Sequence, residues 1–210
     1  TFGVGYAVAL FPVTGQDASR RFASACAQAQ REHLQKRSAG EDAWVRLARL
    51  SLETYVRTGS RLEHLPDGLP DELTRRAAGA FVSLHIGGQL RGCIGTIEAT
   101  QTNVAQEIVQ NAVSAGTRAP RFPPVHPEEL DELEYSVDVL GEPEPVDSLE
   151  QLDPKRYGVI VSCGTRRGLL LPDIDGVDTV VQQVDIARQK GGIRADEPYK
   201  MERFEVVRHL

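Results

Sequence analysis

The sequence predicts an α+β fold, with helices layered on a mostly antiparallel sheet. Three observations carry this. A hairpin is written into residues 81–97 around Gly87-Gly88, a two-residue turn that accepts positive φ at both positions. Leu133 to Leu140 alternates, with Leu133, Tyr135, Val137 and Val139 facing one way and Glu134, Ser136 and Asp138 the other. Amphipathic helices fall between such strands without the regular strand–helix–strand period of a doubly wound sheet.

Taken in order, Val4, Tyr6, Val8 and Leu10 alternate with small residues, so residues 1–13 read as a strand. Residues 14–40 read as a helical connector: Phe22, Ala25, Cys26, Ala29 and His33 make a narrow apolar stripe on a polar helix over 16–36. Ser38-Ala39-Gly40 breaks it, and residues 41–210 form the main domain. A helix with Trp44, Leu47, Ala48, Ser51, Leu52 and Tyr55 on one face ends at Gly59. Leu65 to Pro70 is a loop. In a regular hairpin, Ile86 faces Gln89, Leu84 faces Arg91 and Val82 faces Cys93. Arg91 and Cys93 then share one face, while His85 points to the other. A bulge at Gly92 or Gly95 would undo that register. Asn103 to Gly116 is an amphipathic helix, and 120–127 is irregular and proline-rich. Strands follow at 158–163 and 168–171, then a helix capped by Asp178 and ended by Gly191, and a closing strand over 201–207.

The chain has 210 residues, enough for one large domain or two small ones. Its net charge of -6 argues against a nucleic-acid backbone as main partner, which needs clustered cations. Three cysteines without a Cys-x-x-Cys pair fit a reducing compartment. Five scattered histidines give no metal-ligand spacing, so neither a metal nor another cofactor is expected. The longest apolar run, Val4 to Val13, is too short to span a bilayer and lacks a basic leader. These features point to a cytoplasmic protein that contacts no membrane. Met201 is the single methionine and Thr1 stands first, so the chain reads as a piece of something longer.

The densest chemistry lies in Leu90-Arg91-Gly92-Cys93-Ile94-Gly95-Thr96-Ile97. Flanking glycines remove side chains that would crowd an approaching molecule, and an adjacent guanidinium favours thiolate over thiol. Cys93 is therefore read either as a nucleophile or as a small buried strand residue. Arg91 is read as an anion clamp or as a partner of Glu98. Arg121, in the proline-held loop, is a second candidate for binding, and the sequence offers no confident general base. Lys190 reads as a cation placed at a helix C-terminus, and Asp173 and Asp175 as turn residues facing water.

Leu-Arg-Gly-Cys-Ile-Gly-Thr resembles the signature of the AMMECR domain family. Trp44 to Gly59, Gly79 to Leu84, Arg121-Phe122-Pro123-Pro124 with Glu129-Leu130, Gly168 to Pro172 and Lys190-Gly191-Gly192 resemble further blocks of that family, in its order, over roughly 44–209. In one departure, relatives carry an acidic residue where this chain has Ala119. The resemblance implies two subdomains of unequal size, the larger including both ends. It also implies a site of unsettled activity; the residues themselves offer Cys93 and Arg91 as catalytic candidates and Gly92, Gly95, Thr96 and Arg121 as ligand-binding ones. The resemblance further implies association with a Memo-like protein and a radical SAM protein. Val-Gly-Tyr-Ala-Val-Ala near the start is similar to the closing strand of Memo-like relatives of class III extradiol dioxygenases. An independent N-terminal strand is the other reading. Two functional classes follow: an enzyme or enzyme partner working through Cys93, or a binding module in which the motif only shapes a surface.

Overall fold

In a computed structural model of the protein, the described residues are 40–210 and, before them, Cys26, Gln28, Ala29 and Glu32, all four helical and exposed. The strand expected over 1–13 and most of the connector lie outside the described residues.

Helix α1 (Ala43–Thr58) starts where Asp42 Oδ1 accepts the Trp44 and Val45 amides, and stops at Gly59 in the left-handed region. A one-turn helix α2 (Asp71–Thr74) follows. Strands β1 (Ala80–Ile86) and β2 (Gln89–Gly95) form the hairpin, then come helix α3 (Val104–Thr117), capped by Asn103, and strand β3 (Glu134–Leu140). A smaller unit is inserted next: β4 (Glu144–Val146), β5 (Gly158–Cys163), β6 (Arg166–Leu170), helix α4 (Val180–Lys190) and β7 (Lys200–Phe204). Strand β8 (Val206–His209) then returns to the first unit.

Two four-stranded antiparallel sheets result, ordered β2-β1-β3-β8 and β4-β7-β5-β6. This bears out the α+β expectation and the two unequal subdomains, with α1, β1–β3, α3 and β8 in the larger. One face of the first sheet buries Val82, Leu84, Tyr135 and Val137 against Leu52, Ile108 and Ala112 of α1 and α3. One face of the second buries Val159, Val161 and Leu170 against Val184 and Ala187 of α4. The opposite faces meet through Leu140, Ile160, Leu169 and Phe204, with Phe81, Ile97 and Leu171 packed around them. The layers therefore run helices, sheet, sheet, helix, and the two sheets diverge beyond that shared cluster.

Three expectations need correction. The closing strand is two strands, because Glu205 switches the chain between sheets and its carbonyl accepts the Gly141 amide at 2.8 Å. Thr179, not Asp178, caps α4, its hydroxyl oxygen accepting the Gln182 amide. Most consequentially, the hairpin carries a bulge. His85 faces Leu90, but Leu84 faces Gly92 and Ser83 faces Cys93, so Arg91 is an extra residue without a partner across the strand.

The last strand also locks onto the first helix. The His209 ring stacks on Trp44 with centroids 4.4 Å apart, and its Nδ1 meets the second carboxylate oxygen of the cap residue Asp42.

Candidate functional site

Where the sheets diverge they enclose a cleft of about 900 Å³. The floor comes from the first sheet. Cys93, Ser83 and Ser136 stand opposite one another on β2, β1 and β3, so their side chains form a row; Gly95, Phe81, Asp138 and Arg208 form the next row. The facing wall is Arg167, Leu169 and Leu171, and Arg121 and Lys190 reach in from the proline-rich loop and the end of α4.

The bulge decides what the motif presents to this cleft. Inserting Arg91 shifts the rest of β2 by one residue, which turns Cys93 away from Val82 and into the cleft beside Ser83. The Ser83 hydroxyl donates to Cys93 Sγ at 3.3 Å, and Cys93 is half-buried. His85, expected on the opposite face from Cys93, lines the same cavity.

Arg91 goes elsewhere, so it does not share a face with Cys93. Its Nε and Nη2 donate to the two Glu129 oxygens at 2.7 and 2.9 Å, and Nη1 and Nη2 to the Pro123 and Pro124 carbonyls at 3.0 and 3.3 Å. This bidentate pair, with its side chains only 14% and 26% exposed, fastens the hairpin to the loop that carries Arg121. The Arg91 hydrogen bond holds the Glu129 carboxyl below its ordinary range, with help from the His126 amide. Glu98, offered by the sequence as a partner for Arg91, instead pairs with Arg167.

The glycines also have internal partners. A Cβ on Gly92 would lie 2.4 Å from the Ala115 carbonyl oxygen, so this glycine admits the backbone of α3. On Gly95 it would strike the Phe81 ring, which lies against the strand at the cleft floor. Thr96 points inward: its hydroxyl donates to Glu107 Oε1 at 2.7 Å. Glu107 is fully buried without a cationic partner among the described residues, and its oxygens also accept the Thr100 hydroxyl and the Thr100 and Gln101 amides. Thr96, Gly92 and Arg91 therefore belong to the scaffold of the motif, while Cys93, Gly95 and Arg121 line the cavity.

The charges in the cleft are unevenly matched. Asp138, 3% exposed, accepts from Arg208 Nε at 2.7 Å; Arg167 joins Glu98 and Glu202; Asp173 meets Lys155 at 3.5 Å. Arg121 and Lys190 have no carboxylate partner among the described residues. Arg121 lies over the Phe122 ring at 5.6 Å, in a loop whose tight turn is closed by the Phe122 amide on the carbonyl of Ala119. Desolvation and the charge of Arg121 push the Lys190 pKa down, and Cys93 acts in the opposite sense. Lys190 thus senses both Cys93 and Arg121. Sequence reasoning placed Cys93 and Arg121 but missed Lys190, whose approach depends on how α4 packs. It also missed Ser83, Ser136 and Asp138, whose only signal was the polar face of two alternating strands.

Among the described residues no three His, Cys, Asp or Glu side chains converge as a metal site, and no helix is long and apolar enough to cross a membrane.

Comparison with known proteins matches residues 45–209 to the AMMECR1 family. A protein of Thermotoga maritima is 53% identical over 173 residues, covering 81% of this chain and 98% of that one. A Clostridium acetobutylicum protein is 44% identical over 209 residues, and the present chain spans 44% of its length. The crystal structure of an uncharacterized protein from Pyrococcus horikoshii superposes with a TM-score of 0.73 at 30% identity, covering 79% of this chain and 88% of that one. With the family matched across both sheets and the cleft between them, the chain belongs to the AMMECR1 family.

Proposed function

We propose that this domain binds a small anionic molecule in the cleft between its sheets and acts on it through the Cys93 thiol. One observation carries the reading: a half-buried cysteine on the floor of a cavity of about 900 Å³ that also holds two cations without carboxylate partners among the described residues. A cavity of this size suits a small ligand. The reacting form of a thiol is its anion, which cationic neighbours stabilise, and the same cations attract an anionic substrate. Arg91 acts in this scheme by positioning the hairpin and the Arg121 loop, without touching the ligand.

Alkylation of the native full chain near neutral pH tests this, with peptide mapping to separate Cys93 from Cys26 and Cys163. Cys93 should react quickly, and should prefer iodoacetate to iodoacetamide by about fivefold over free cysteine, as about 1 kcal/mol of charge attraction gives. Arg121→Ala should abolish that preference. A Cys93 that reacts only on unfolding defeats the proposal.

A second reading, a binding module without chemistry, is favoured by the Ser83 hydrogen bond, which already engages the sulfur. Slow alkylation with retained ligand binding would select it. On either reading the family resemblance names a Memo-like domain and a radical SAM protein as partners. The far greater length of the Clostridium relative, which matches this chain throughout, suits a fused neighbour of that kind. Co-purification of the parent protein with a radical SAM protein would test the association.

A further inference from the structure

We infer that the ligand of this cleft is an elongated amphipathic carboxylate, its head held by Arg121 and Lys190 beside Cys93 and its apolar body laid along Phe81, Leu169 and Leu171. The inference rests on the reading of the cleft as the site and names the class of molecule it takes.

The head follows from the charge balance. Only Arg121 and Lys190 are without carboxylate partners among the described residues that line the cleft. Arg91, two residues before Cys93, donates to the Pro123 and Pro124 carbonyls and so holds the Arg121 loop beside the thiol, and Lys190 senses both Arg121 and Cys93. A planar guanidinium matches a carboxylate in bidentate fashion, and one ammonium beside it balances a compact anion. A polyphosphate is disfavoured, because Asp138, Asp173 and Asp175 also line the cavity and would repel added negative charge. A second charged group on the ligand finds no partner in the interior, since Asp138 is matched by Arg208 and Arg167 by Glu98 and Glu202; Asp175 is exposed to solvent.

The body follows from the remaining walls. Phe81 lies in the row next to Cys93, and Leu169 and Leu171 face it from the second sheet at the cluster where the sheets close. The floor leaves room for an elongated body: from Cys93 on β2 to Arg208 on β8, in the adjoining row, it crosses three strand spacings, or about 14 Å. A ligand with only a head would leave the partly exposed Phe81 and Leu171 wet.

Isothermal titration of the full chain with acetate, phenylpropanoate, phenylpentanoate and decanoate, each beside its neutral amide, tests the inference. Affinity should rise with the length of the apolar body, and each amide should bind about tenfold more weakly than its acid. Arg121→Ala and Lys190→Gln should each cost the acids about tenfold and leave the amides unchanged. Equal binding of acids and amides, acetate or inorganic phosphate binding as tightly as decanoate, or no binding by any acid would each overturn it. Alkylation of the native chain keeps this test separate from the catalytic one: carboxylate binding without fast alkylation of Cys93 removes the chemistry and keeps the ligand class, and fast alkylation without carboxylate binding does the reverse.

Discussion

Strands β2 and β6 are built alike and placed differently. Each is an edge strand, each follows a hairpin turn, and each carries Arg-Gly followed by an apolar residue or cysteine: Arg91-Gly92-Cys93 in one, Arg167-Gly168-Leu169 in the other. Each glycine admits a helix backbone, since a Cβ on Gly92 would meet the Ala115 carbonyl oxygen at 2.4 Å and one on Gly168 the Ala187 carbonyl oxygen at 2.0 Å. The difference lies in the arginine. In β6 the alternation is unbroken, so Arg167 and Leu169 both face the cleft. In β2 one extra residue sends Arg91 to Glu129 and leaves Cys93 in the cavity with cations drawn from other segments. A single bulge therefore separates the thiol from the arginine beside it in sequence, and frees that arginine to hold the loop that supplies Arg121.

The strongest test of the likeness is the pair Gly92→Val and Gly168→Val. Both should cost about 3 kcal/mol or more, because the obstructing atoms are backbone. Urea unfolding that showed one tolerated and the other not would break the comparison. The arginines should part company next. Arg91→Ala should cost about 2–3 kcal/mol, since it removes a bidentate partner and two carbonyl contacts from a largely enclosed carboxylate. Arg167→Ala should cost about 1 kcal/mol, because its partner Glu98 is well exposed.

Acid titration sharpens the contrast further. Glu129 has its folded pKa depressed, by the Arg91 hydrogen bond first, so its contribution is present above the ordinary value of 4.5 and is lost as pH falls through the lower folded value. The stabilities of the parent and Glu129→Gln should thus differ near neutral pH and converge in acid. In the smaller unit, Arg166 and the Arg194 amide hold Glu197 down to about 2. Carboxyl NMR should find it titrating there, and Arg166→Ala should return it towards the ordinary range. Cys93→Ser should have the smallest effect on stability, under about 1 kcal/mol, because the half-buried site accepts a hydroxyl beside Ser83.

The sequence made the hairpin legible because Gly87-Gly88 is local: both residues take positive φ, 57° and 79°, within the turn they specify. The alternation of β3 was legible for the same reason. The bulge was not, because Arg91 is drawn out of register by Pro123, Pro124 and Glu129, more than thirty residues away. The break at Glu205 was hidden as well, since residues on both sides favour strands and only pairing with two different sheets separates them. At the site, Cys93 and Arg121 could be named from their motifs. Lys190 could not, because its place depends on α4 seating its last turn on Gly168 of β6.

The clasp of Trp44, His209 and Asp42 has a consequence for the topology of the chain. Because His209 stacks on Trp44 and engages the residue that caps α1, the two limits of the family domain lie side by side. A circularly permuted chain, rejoined by a short linker between these limits and opened at the exposed Asp67-Gly68 turn, keeps every strand pairing and both helix seats. The same adjacency lets the domain be inserted into a surface loop of another protein, entering and leaving at one point, and because Arg208 and Leu210 line the cleft that point lies at the cleft's β8 end.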